Sequence, residues 1–157
     1  MNLSDSLAAH FHQVWFGGNW TDSCAKQLLT DVSWQEATAK IPSFNSIVSL
    51  VYHMNYFVVA ATQVLQGGRL DAHDKFSFDH PAITSEKEWI EFLEKVWQDA
   101  ELFASLVSKI PEAQLWETFA DEKYGTYYRN IQGIIEHTHY HLGQTALVKK
   151  MVRAVTA

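Results

Sequence analysis

Three histidines stand at alternate positions in the stretch EHTHYHLGQ, residues 136–144, a short way before the C-terminus. Imidazole serves as metal ligand, general base or proton carrier, and what the stretch can do depends on which rings share a face. On an α-helix each residue turns by about 100°, so positions i and i+4 lie about 40° apart while i and i+2 fall on nearly opposite sides. His137 and His141 are therefore neighbours. His139 points away from both, toward solvent or a subunit contact. Two imidazoles one turn apart can chelate one cation, as in HExxH helices. The glutamate base of that motif is missing here, because Thr138 follows His137.

Two ligands make a weak site, so a third must come from another segment. His53 is the natural candidate: no Asp, Glu, Lys or Arg occurs between Lys40 and Arg69, and a helix so poor in charge belongs in the interior. A buried imidazole needs partners for its nitrogens. If the two helices are neighbours, His53, His137 and His141 converge on a three-nitrogen site with at least one position open, the arrangement of a catalytic rather than a structural metal. Zinc, nickel and iron all accept such ligands. Tyr56, one turn beyond His53, and Gln144, three residues after His141, are placed to orient a substrate or hold a ligand nitrogen. Trp89, Phe92 and Tyr140 are weaker candidates for pocket walls. The plainer reading is that an i, i+4 pair arises by chance among eight histidines and that an interior histidine is simply hydrogen-bonded in the core.

The remaining candidates carry less. His10 and His12 are two apart and cannot share a helical face, so surface or partial burial is expected. His73 and His80 fall in a connection and are solvated by default, unless that segment closes over the open side of the metal. Cys24 reads as a small buried hydrophobe rather than a nucleophile. No glycine-rich phosphate loop and no Ser/His/Asp spacing occurs.

The elements that must position these residues are helices. Leu3, Leu7, Phe11 and Val14 predict a first helix over about sixteen residues, stopped by Gly17-Gly18. Thr21 or Asp22 could cap a short piece through CAKQLL, and Ser33 with Glu36 another through WQEATAK. A second long helix is expected from near Ser43 or Asn45 to the Gly67-Gly68 stop, followed by a polar connection to about residue 84 that is long enough to be functional or to cross between ends of a bundle. Ser85 and Glu88 read as a capping box for a third, which Ile110-Pro111 ends. The last runs from roughly Tyr127 to Val152, with Ile131, Ile134, Ile135, Thr138, Leu142, Thr145, Val148 and Val152 inward. Four long amphipathic helices, long crossover connections and no strand pattern predict an all-α four-helix bundle forming a single domain over residues 1–157.

Composition bounds the rest. With 157 residues, 47 % hydrophobic and 19 % charged, the chain has the balance of one globular domain. A net charge of -6 with no basic run gives no means of neutralising a phosphate backbone, so nucleic acid is not an expected partner. The lone cysteine and an N-terminus without signal-peptide features make the cytoplasm the default compartment. The window Ile47 to Leu65 approaches a membrane span in length but carries Ser49, His53, Asn55, Thr62 and Gln63, which favours a buried core helix over the membrane.

The stretch from GGNWTDSCAKQLL through NSIVSLVYHM, the segment SEKEWIEFLEKV, and IIEHTHYHLGQTALVKK together resemble the DinB-like, damage-inducible metalloenzyme family. The resemblance covers nearly the whole chain in the same order, most specifically in NSIVSLVYH and in the HxxxHxGQ pattern of residues 137–144. It implies metal ligands at His53, His137 and His141, with His139 at a variable position, an up-down-down-up course of helices, and homodimers. It further implies transfer chemistry with a low-molecular-weight thiol on a small electrophile. The expected function is thus that of a metal-dependent thiol S-transferase, with a hydrolase using metal-activated water as the alternative, and a non-catalytic metal- or ligand-binding stress protein as the reading from another class.

Overall fold

The computed structural model describes residues 2–156, and their regular structure is helical, with one isolated bridge between Thr118 and Thr126. Six α-helices run in chain order: α1 Leu3–Phe16, α2 Ala25–Leu29, α3 Trp34–Thr38, α4 Ile47–Leu65, α5 Glu86–Val107 and α6 Tyr127–Thr156. Three short 3-10 turns lie in the connections, at Asp74–Phe76, Glu112–Trp116 and Glu122–Tyr124.

Local chemistry sets most of the boundaries. Asn2 and Asp5 form a reciprocal capping box at the start of α1, and Gly17, at φ 119, adopts a backbone that side chains disfavour and ends the helix. The box expected of Ser33 and Glu36 caps α3. Ser85 caps α5 by accepting from the Glu88 amide, but the Glu88 carboxylate turns to the amide and hydroxyl of Thr84, one residue earlier than a standard box. Two starts differ from expectation. Cys24, not Thr21 or Asp22, caps α2, its Sγ accepting from the Gln27 amide at 3.4 Å, while the Thr21 hydroxyl is occupied by Asn19. Ser46 caps α4, because Ser43 at φ 67 is spent on a turn before it. α6 continues past the expected end at Val152.

The four long helices enclose one core, and each packs mainly against two others: α4 and α1 both lie against α5, and both also lie against α6. α1 and α5 run antiparallel, for Phe11 meets Phe103 with ring centroids 4.6 Å apart, Trp15 meets Trp97, and the Ser4 hydroxyl donates to the Ile110 carbonyl. α4 and α6 are antiparallel too, since Leu50 lines a hollow with Leu147 and Val148 while Phe57, two turns on, shares one with Ile134. The expected inward stripe of α6 is buried, with Ile134 partly so. α4 is long and apolar enough to cross a bilayer, yet 67 % of its most apolar window is covered by the rest of the chain. That cover explains its lack of charges, since an unpaired charge there would lose its hydration.

The C-terminal half of α6 is tied to the segment carrying α2 and α3. Lys149 donates to the Leu28 carbonyl, and Arg153 reaches both Glu36 and Asp31. Hydrogen bonds from Lys149 and then Arg153 hold the Asp31 carboxyl down to about 2.

Candidate metal centre

Because α4 and α6 lie side by side, the face of α4 at His53 meets the face of α6 at His137 and His141. The ligand-capable atoms of these three residues lie within 4.8 Å of one another, and the His53 and His137 Nε2 atoms are 3.0 Å apart. His53 and His141 are buried; His137 is partly open.

Two side chains set the tautomers. The Ser77 hydroxyl has one proton, and the Asp74 carbonyl takes it at 2.7 Å, so at the 2.8 Å contact with His53 Nδ1 the serine oxygen accepts and the imidazole donates. His53 Nε2 is then left with its lone pair. On α6, Gln144 Oε1 accepts from His141 Nδ1 at 2.7 Å, which leaves a lone pair on the Nε2 of that ring as well. Outer partners of this kind are how ligating histidines are aimed and made more basic. His137 Nε2 can donate to His53 Nε2 across their short contact, and the proton between them stands where a cation would take both lone pairs. A tetrahedral zinc site separates ligand nitrogens by roughly 3.3 Å, so the His53–His137 pair fits a cation after a shift of a few tenths of an ångström, and His141, whose ligand atom lies within 4.8 Å of the others, closes by up to about 1.5 Å through rotation of its side chain.

Electrostatics keep the rings neutral. Burial, then the fields of His141 and His53, push His137 down to about 4, with Asp74 opposing. His53 is lowered by burial first and by His141 second, and His141 by burial against the opposing hydrogen bond to Gln144. Neutral imidazole is the form that binds metal.

His53 and His137 open onto a cleft of about 630 Å³, whose wall also includes Phe57, Asp74, Tyr124 and Asn130, with His141 buried behind them. The long α4–α5 connection closes one side, as its length suggested, but with different residues. It brings buried Ser77 to His53 and stacks Phe78 on the same ring, centroids 4.1 Å apart and planes 9° from parallel. Neither of its histidines reaches the trio. His80 contacts the Ser49 hydroxyl through Nε2 and the Pro81 carbonyl through Nδ1, and His73 is exposed beside Asp71.

Other candidates fall elsewhere. Tyr56 lies on the flank of α4, where its hydroxyl accepts from the His73 amide and donates to the His73 carbonyl; it pins the connection and does not line the cleft. Trp89 is core, donating to the Val32 carbonyl and stacking on Phe92, so neither ring walls the cleft. Tyr140 is exposed on α6, 4.8 Å from the His141 ring and outside the cleft. His139 is turned out of the trio and stays partly exposed, its ring beside that of exposed His10 on α1, centroids 6.1 Å apart. Residues not anticipated are Ser77, Phe78 and Asp74 from one connection and Lys123 and Tyr124 from another. Phe57, Asn130 and Gly133 stand one or two turns from a ligand, and that spacing could have found them. No family profile, no curated protein and no solved structure matches the chain.

Proposed function

We propose that the chain is a metal-dependent enzyme of the DinB-like kind, a four-helix bundle of up-down-down-up course in which His53, His137 and His141 hold one divalent cation beside a small-molecule cleft. The antiparallel pairs α1/α5 and α4/α6 support that course together with α1 and α6, which start beside the same Glu112–Trp116 turn, through Leu3 to Glu112 and Trp116 on Tyr128, and so run parallel. The observation that carries the metal is the pair of outer partners, Ser77 and Gln144, which turn two Nε2 lone pairs toward a third imidazole. A divalent cation held by these three rings would supply Lewis acidity, lowering the pKa of a thiol or water at neutral pH.

The favoured reaction is transfer of a low-molecular-weight thiol to a small electrophile. It rests on the NSIVSLVYH and HTHYHLGQ motifs, since three imidazoles serve thiol and water alike. The chain's own residues then have definable tasks. Phe57 and Phe78 screen the His53 ring from water, and Asp74 in the cleft wall is positioned to take the proton a nucleophile sheds. A reducing cytoplasm suits the single buried thiol of Cys24, and a homodimer is what the resemblance adds.

Tag-free protein should retain close to one equivalent of zinc, nickel or iron. It should also turn over one of a panel of thiols with epoxides or chlorinated aromatics, and folded His53→Ala should lose that turnover. Equal, negligible metal in wild type and His137→Ala would remove the metal centre; turnover of simple esters without thiol would replace transfer by hydrolysis.

A further inference from the structure

The cleft has a second feature that the three histidines do not use. Its outer wall carries two cations, Lys123 from the turn before α6 and Arg129 from the first turns of α6. In a chain with net charge -6, such a pair at one mouth is a local reversal of sign. The Lys123 ammonium lies over the Tyr124 ring at 4.8 Å and pairs with no carboxylate among the described residues. Arg129 lies across Gly133, where an added Cβ would come within 3.1 Å of its Nη1, and reaches Glu136 at 3.3 Å. The side-chain-free position lets the guanidinium lie flat along the helix at the cleft edge. Its ion pair with Glu136 is exposed and therefore weak, so Arg129 remains available to an incoming anion.

Behind the same wall lies an apolar chamber of about 300 Å³. It shares Phe57, Asp74, Tyr124, Asn130 and Ile134 with the main cleft, the Asp74 carboxylate at the junction favouring an anion held out at the cations, and continues between α4 and the connections over Ala60, Ala61 and Leu70. Alanines on α4 make room where larger side chains would fill it. The cleft that holds the histidines and the cations thus adjoins the chamber along shared residues, and the two together make one candidate binding space.

We propose that this space binds a small organic acid, its anionic group held by Lys123 and Arg129, its apolar body in the chamber over Ala60 and Ala61, and its reacting end toward the three histidines. The last clause rests on the function proposed above; recognition of the acid does not. Simple apolar neutral molecules and polar anions each satisfy one half of the site.

The test uses 4-phenylbutyrate and its neutral counterpart 4-phenyl-1-butanol, titrated by NMR into 15N-labelled, metal-free protein. The expected result is saturable shifts at the amides of Ala60, Ala61, Gly125 and Gly133, with the acid bound roughly fivefold more tightly than the alcohol, the scale of a partly exposed charge pair. In Lys123→Gln/Arg129→Gln the two probes should bind alike; both positions are on the surface, so the fold is retained. Equal affinities in wild type, a preference that survives the double substitution, shifts away from the cleft, or no saturable shift overturns the proposal. Repeating the titration with zinc-loaded protein separates it from the metal reading, because loss of zinc binding alone leaves the acid preference unchanged.

Discussion

α6 presents histidines to two neighbours, and the two groups differ in a way that burial does not explain. Toward α4, His137 and His141 meet His53; toward α1, His139 meets His10. Burial, followed by a nearby imidazole, lowers His139 as it lowers His53 and His137. The α4-facing group has outer acceptors on two of its three rings, which fix the tautomer, and its third ring closes the set at 3.0 Å. The α1-facing pair has only ring contact at 6.1 Å. Crowded imidazoles become a candidate metal centre when hydrogen bonds behind them decide where their lone pairs point.

The largest expected break in this comparison is ligand removal. His53→Ala, His137→Ala or His141→Ala should weaken zinc binding at least about 100-fold, more than the loss of an outer partner, while His139→Ala changes it less than about twofold. Competition with a chromophoric chelator measures both. A loss in His139→Ala equal to that in His137→Ala would erase the distinction between the two groups.

Next in size is removal of the residues behind the rings. Ser77→Ala or Gln144→Ala should lower zinc affinity by roughly 10- to 100-fold with the three ligands intact, and Ser77→Thr, which keeps the hydroxyl, should recover most of it. Unchanged affinity in both alanine variants would mean that the tautomers are set by the metal itself.

How much of this could be read from the chain depends on whether the information is local. The pairing of His137 with His141 and the exclusion of His139 follow from helical rotation, and the missing charges between Lys40 and Arg69 mark the helix of His53 as interior. Helix caps at Ser33 and Ser85 are local as well. The cap at Cys24 is not obvious, because a thiol is a poor acceptor and its use depends on how the preceding turn is folded. Ser77, Phe78, Lys123 and Tyr124 lie in connections whose course is set by the helices they span, and no periodicity marks them. Tyr56 shows the opposite error: one turn from His53 along the helix, it still falls on another flank, where the His73 backbone takes its hydroxyl.

The smallest effect separates the groups without any metal. Well above pH 6.5 the rings are neutral in folded and unfolded chains alike, and protonation costs the fold nothing. As pH falls through 6.5 the unfolded chain takes up protons that the folded trio refuses, so metal-free stability drops until pH nears 4, where His137 protonates in place. Partial access to solvent reduces the span of His137 to about 2 kcal/mol between those limits. Urea unfolding of chelator-treated protein across this window should show that loss. His137→Gln, which does not titrate, should remove most of the slope, and His139→Gln should remove the smaller part owed to its burial against His10. Equal slopes in wild type and His137→Gln would place the cost of protonation outside the trio, and a steeper dependence on His139 than on His137 would reverse the order of the two groups.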